Sequence, residues 1–191
     1  VVMIERTFKD IDEQQIFDAD KQNFLTQLGW SDGLTWEVLL RSKRILLISE
    51  AGSGKTHECR EQACLLAAKG EAAFFVELAS LASTHLRDLL GYEEETRFDL
   101  WLASQSEIAT FFLDSIDELQ LTRGSFRQAL DRFVRGIENN LGRVRVVVTT
   151  RPIPFDMQLV RSKLPVPLQI KPRSTEEKER EFASMALGEH M

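Results

Sequence analysis

From Arg44 to Thr150, short and almost wholly apolar runs alternate with longer stretches of mixed polarity, and this alternation predicts strands and helices in turn. Ile45–Ser49 reads as a first strand, and Thr56–Lys69 as a helix that Gly70 stops. Ala72–Leu78, carrying Phe74, Phe75 and Val76, is the next strand. Two modest helices follow, around Thr84–Leu90 and Arg97–Ser104, with Gly91-Tyr92 between them. Ile108–Asp114 is a third strand, Ser125–Asn139 a long amphipathic helix, and Val144–Thr150 a fourth strand. Pro165–Ile170 suits a fifth, edge-like strand, because its prolines argue against a central place. Strands apolar on both faces and separated by helices predict a parallel sheet covered on each side.

The flanks read differently. Residues 1–40 suit a helical lead-in: Phe17, Phe24, Leu25 and Leu28 recur near helical spacing, and Gly29 stops the run. Asp32-Gly33 marks a turn, Leu34 to Leu40 a short helix, and Trp30 and Trp36 are packing anchors. Beyond Lys171-Pro172, Ser174-Thr175-Glu176-Glu177 has the form of a capping box, with Phe182, Met185 and Ala186 continuing a helix. The expected organisation is a lead-in over 1–40, an α/β domain over 41–172, and the start of a following helical domain over 173–191.

Composition changes this picture little. The 191 residues are 43% apolar and 28% charged, enough for one domain with a sizeable core. A net charge of −6 gives no overall attraction to nucleic acid or to an anionic membrane. No apolar run approaches the roughly 20 residues that span a bilayer. The first residues, Val1-Val2-Met3-Ile4-Glu5-Arg6, lack the features of a signal peptide and an initiator methionine. The expectation is an excerpt of a longer cytoplasmic protein. Cys59 and Cys64 lie too far apart around a helix to pair or share a metal, and are expected to be core thiols.

The chemistry begins at Ser49-Glu50-Ala51-Gly52-Ser53-Gly54-Lys55-Thr56, between the first strand and the first long helix. This is the order of a phosphate-binding loop. Gly52 and Gly54 let the backbone curl so that successive N–H groups face a polyphosphate. Lys55 places a cation on the β- and γ-phosphates, and the Thr56 hydroxyl ligates Mg²⁺. The helix start adds its own unpaired N–H groups and positive dipole end. Glu50, Ala51, Gly52, Ser53, Gly54, Lys55, Thr56 and His57 are therefore the expected nucleotide contacts. The pattern G-x-x-x-x-G-K-S/T is broken at its first position, where Ser49 replaces a glycine that shapes the strand exit rather than the cradle. The fold this implies is a three-layer P-loop NTPase fold, with a mostly parallel sheet of about five strands.

Two further stretches end at the same edge of that sheet. Phe111-Phe112-Leu113-Asp114 delivers a carboxylate to the strand's carboxyl end, where open α/β folds bind ligands, and Asp114 is the expected Mg²⁺ partner. Asp117 is the alternative, disfavoured because Asp114 and Ser115 interrupt the apolar run before it. Asp117 and Glu118 are each placed to orient and deprotonate a water, though adjacent acids also commonly open a helix. Val144-Arg145-Val146-Val147-Val148-Thr149-Thr150-Arg151-Pro152 then brings Arg151 to the same edge, as a sensor of the γ-phosphate or of charge developing in its transfer.

Together the three stretches resemble the NACHT family of STAND-type P-loop NTPases, whose members read G-E-x-G-x-G-K-S/T, then D-G-x-D-E, then T-S/T-R-P. The counterparts here are S-E-A-G-S-G-K-T at 49–56, D-S-I-D-E at 114–118 and T-T-R-P at 149–152. Ser49 and Ser115 stand where the family carries glycine. The resemblance implies an ATP- or ADP-binding, slowly hydrolysing switch that couples a trigger to self-association. It further implies downstream helical, winged-helix and sensor domains, and roles in immunity or defence against phage. A mechanochemical ATPase of the AAA+ kind, acting on DNA or protein, is the alternative; that class carries glutamate directly after the strand aspartate, where this chain has Ser115. No N-K-x-D stretch for guanine recognition occurs, so ATP is preferred to GTP.

Overall fold

Four strands rich in β-branched and aromatic residues form the centre of one sheet. They are β2 (Arg44–Ile48), β3 (Ala73–Glu77), β4 (Ala109–Asp114) and β5 (Val144–Thr150). The computed structural model describes residues 8–10, 35–49, 51–115, 123–138, 140–151, 156–165 and 183–187, and the structural statements concern those. The remaining elements are β1 (Phe8–Asp10), α1 (Trp36–Leu39), α2 (Lys55–Ala68), α3 (Leu78–Leu81), α4 (Tyr92–Ala103), α5 (Arg123–Gly136), α6 (Met157–Lys163) and β6 (Ala183–Leu187). The sheet order is β1-β6-β2-β5-β4-β3. All neighbours from β6 to β3 are parallel, and only β1 pairs antiparallel.

The chain has the α/β, mostly parallel, P-loop NTPase-like fold that its alternating pattern predicts. Every residue of β2 and β4 is buried, as a sheet covered on both faces requires. One face packs on α2 and α1 through Ile45, Leu47, Cys59, Leu66, Phe112 and Val147. The other carries the larger core, in which Phe111 stacks on Phe74 at 4.8 Å and meets Phe133 edge-on at 5.2 Å. Helix α2 ends where expected. Gly70 takes φ +84°, its N–H reaches Ala67 O, and the N–H of Glu71 reaches back to Leu66 O. These two bonds satisfy carbonyls that the helix would otherwise leave open.

Several expectations change. Phe182, Met185 and Ala186 were expected to continue a helix, but Ala183–Leu187 is a strand paired with β2. The lead-in is not wholly helical either, since Phe8–Asp10 is a strand against β6. The positions Phe17, Phe24, Leu25 and Leu28 lie outside the described residues, as does the edge strand expected at 165–170 beyond Pro165. The helix around Thr84–Leu90 is reduced to a 3₁₀ turn at Arg87–Leu89, and α3 was not anticipated. Cys59 is a core thiol, whereas Cys64 is exposed. No helix among the described residues is long and apolar enough to cross a membrane.

One buried cation ties the lower end of the sheet together. Arg44 is 1% exposed and donates to five carbonyls, those of Lys43, Leu141, Val144, Leu164 and Pro165. Burial pushes its guanidinium down to about 10, a desolvation cost that the carbonyl acceptors offset. Arg44→Met would remove that shared donor, although Lys43 O keeps the N–H of Val146. The expected result is a loss of ~2–3 kcal/mol in stability, seen as a lower urea midpoint at unchanged slope. An unchanged midpoint would show that the five bonds contribute nothing net.

Candidate functional site

β5 lies between β2 and β4, so the ends of these three strands stand side by side. The loop after β2 rises at that edge and turns into α2. Two of its residues take left-handed backbone, Gly52 at φ +79° and Gly54 at φ +86°. Gly54 is the residue preceding α2, and its carbonyl accepts the N–H of Glu58 at 2.9 Å. A side chain at either position would be strained, so the curl of the loop rests on glycine.

Ser49, the departure from the usual loop pattern, is 1% exposed, and its Oγ lies 2.6 Å from Ser53 Oγ. Its N–H donates to Thr150 O at 3.2 Å, which ties the loop's root to β5. The serine therefore adds a bridge across the loop that glycine could not make. Lys55 is also buried, with Nζ donating to Ser49 O at 2.8 Å. Its ammonium is folded back over the loop, within the curl that the glycines create.

Asp114 is the hub of the edge. It is 3% exposed at the end of β4, and its two carboxylate oxygens have separate partners. Oδ2 accepts from Thr56 Oγ1 at 2.7 Å, and Oδ1 accepts from Thr149 Oγ1 at 2.5 Å. Thr149 in turn accepts the N–H of Ser115 at 2.8 Å. The glycine-rich loop's helix start, β4 and β5 are thus linked through one carboxylate.

This donor set suits a hard cation. Thr56 Oγ1 and Asp114 Oδ2 are oxygen ligands at hydrogen-bond separation, where one Mg²⁺ could replace the shared proton as their common partner. Among the described residues there is no cluster of three or more His, Cys, Asp or Glu. A metal here would draw its other ligands from phosphate and water, which is how Mg²⁺ is commonly held at triphosphates.

Ser115 has φ +67°, a left-handed conformation costly for a residue with a Cβ. The bond from its N–H to Thr149 holds it there. This explains in physical terms why glycine suits the position after the strand aspartate. Ser115→Gly is expected to be neutral or to stabilise by up to ~1 kcal/mol, and Ser115→Val to destabilise by ~1–2 kcal/mol. Thermal melts of the two variants should therefore move apart. If they coincide, the backbone at 115 is not strained.

The other expected site residues fall into four groups. Ala51 and Gly52 are exposed on the loop. His57 is exposed on the first turn of α2, its Nε2 lying 3.5 Å from Glu61 Oε1. Arg151 is exposed just beyond β5. Glu50, Asp117 and Glu118 lie outside the described residues.

Two participants were missed. Thr149 was placed at the edge without a role, although its hydroxyl is the second anchor of Asp114. Trp36 was read as packing alone. It does pack edge-on against Phe112 at 5.8 Å, but its indole N–H also donates to the buried carboxylate of Glu58 at 2.6 Å. That bond ties α1 to the first turn of the phosphate-loop helix. A glutamate three residues after the loop lysine was the available signal, but its partner lies 22 residues upstream and no local pattern marks it. Beneath the site, burial raises the thiol pKa of Cys59, and the nearby Asp114 and Glu58 carboxylates raise it further. Cys59 is therefore neutral at physiological pH and offers no thiolate.

No protein-family profile matches the chain, and no curated protein matches it by sequence. Among solved structures, it is similar to the AAA domain of FIGL-1 in complex with ADP, at 25% identity and a TM-score of 0.37, over 64% of this chain and 41% of that one. It is also similar to a chain of the E. coli MS115-1 HORMA:CdnC:Trip13 complex, at 18% identity and a TM-score of 0.33, over 70% of this chain and 57% of that one. The chain therefore spans less than two thirds of either neighbour.

Proposed function

We propose that the chain binds ATP with Mg²⁺ at the edge formed by β2, β4 and β5, and hydrolyses it slowly. The supporting observation is the convergence of Lys55, Thr56, Asp114 and Thr149, with Asp114 accepting from both hydroxyls. The curled loop and the start of α2 cradle the phosphates through backbone N–H groups. Lys55 swings its ammonium from Ser49 O to the β- and γ-oxygens. Thr56 and Asp114 would hold the Mg²⁺, which would supply positive charge beside those oxygens. Thr149 fixes the rotamer of Asp114. Asp117 or Glu118 takes a proton from the attacking water, and Arg151 contacts the γ-phosphate.

We further propose that this chemistry serves a NACHT-like switch rather than an AAA+ motor. The left-handed backbone at Ser115 supports that reading. It suits the glycine of D-G-x-D-E, whereas a glutamate held there as catalytic base would be strained. In such a switch, γ-phosphate contacts differ between two states and bias self-association of the longer protein. Trigger sensing in immune or antiphage defence is the physiological setting that the resemblance suggests.

Arg151→Ala tests the sensing step. The expected result is a fall of about tenfold in the ratio of ATP to ADP affinity, mostly through weaker ATP binding. The measurement is calorimetric titration of both nucleotides against both proteins. An unchanged ratio would return Arg151 to a solvated strand end.

A further inference from the structure

The face of the sheet opposite α2 holds a partly polar cavity, of about 380 Å³, between α5, α4 and the 3₁₀ turn at Arg87–Leu89. Leu86 and Phe98 give it an apolar floor that belongs to the large core. Gln128, Arg132 and Arg135 from α5 form one wall, with Glu138 beyond the helix end. The two sides approach closely at Gly136, where a Cβ would sit 2.6 Å from Leu86 Cβ. The shape of the cavity is thus set by a glycine contact.

Its charges are unequally used. Arg87 is committed to Asp99, with Glu95 at 3.6 Å. Arg135 spends its Nε on Asp131 O at 3.3 Å. Arg132 is different: its Nη1 is sealed from solvent and has no hydrogen-bond partner among the described residues. Such an N–H costs free energy while it lacks an acceptor, and because water does not reach Nη1, Arg132 would have to turn its guanidinium toward the cavity to bond an acceptor there.

We propose that this cavity is a binding site for a small organic carboxylate with an aromatic or branched apolar body. The carboxylate would accept from Arg132, with Arg135 at the mouth, and the apolar body would lie on Phe98 and Leu86. Glu138 disfavours a multiply charged anion, so a monoanion fits best. The volume lies at the small end of the range for ligand pockets. No residue of the loop at 49–56 lines the cavity, so its occupant is not the nucleotide proposed for that loop.

Phenylacetate is the probe, with uncharged phenylacetamide as its control, read by amide shifts in a ¹H–¹⁵N spectrum of the whole chain. Saturable shifts at Gln128, Arg132 and Gly136 are expected, with the amide at least tenfold weaker. Arg132→Met should weaken phenylacetate at least tenfold, and Arg135→Gln about threefold, with ATP affinity unchanged in both. Should Arg132→Met misfold, the Arg135→Gln protein and the amide control decide. No saturable shift at these residues, equal binding of acid and amide, or full affinity in the variants that fold would overturn the proposal and leave a water-filled cavity.

Discussion

Lys55→Ala is expected to weaken ATP binding by about 100- to 1,000-fold, ~3–4 kcal/mol, while the fold remains intact. The lysine opens α2 with its ammonium buried in the curl of the loop, 2.8 Å from Ser49 O. There it is already desolvated, so little further cost attends its transfer to a phosphate oxygen. Backbone N–H groups remain in the variant, which is why binding weakens rather than vanishes. Stability should change little, because the sheet and its two cores are untouched. Calorimetry gives the affinity and circular dichroism the fold. A loss below tenfold with the fold preserved would remove Lys55 from the site.

The second large effect is on turnover. Asp114→Ala should lower Mg²⁺-dependent hydrolysis by about 10³-fold, a magnitude typical of removing a fixed electrostatic partner of the reacting groups. It removes the acceptor of both Thr56 and Thr149, so two hydroxyls lose their common partner, and Thr149, which accepts the N–H of Ser115, loses its tether. The cation ligand and the side-chain bond from Thr149 to Asp114 disappear together. Thr149→Val separates these roles, because it keeps the carboxylate and removes only one of its donors. That variant should lose about tenfold, close to one hydrogen bond to a charged group. If Asp114→Ala and Thr149→Val are equally active, the carboxylate does not organise a metal.

Much of this was legible along the chain because the informative residues are local. The phosphate loop is eight consecutive residues, and the strands that carry Asp114 and Arg151 are apolar runs whose ends are easy to place. The order of helix and strand also implied the parallel sheet. What escaped depends on distant partners. Ala183-Ser184-Met185-Ala186-Leu187 is rich in good helix formers, yet it pairs with β2, and strand pairing overrides such propensities. The strain at Ser115 follows from where β4 must end beneath Thr149. Trp36 and Glu58 meet only once α1 folds under the loop. Cys64 lies five residues after a core cysteine, on the exposed side of the same helix.

The central claim is that Lys55, Thr56 and Asp114 together hold a triphosphate and a divalent cation. Its most direct test is calorimetric titration of the unaltered chain with ATP, in Mg²⁺ and in excess chelator. One saturable site is expected, at least tenfold tighter with Mg²⁺ than without it. Absence of binding, or the same affinity in both conditions, would contradict the assignment of this edge as a Mg²⁺–nucleotide site.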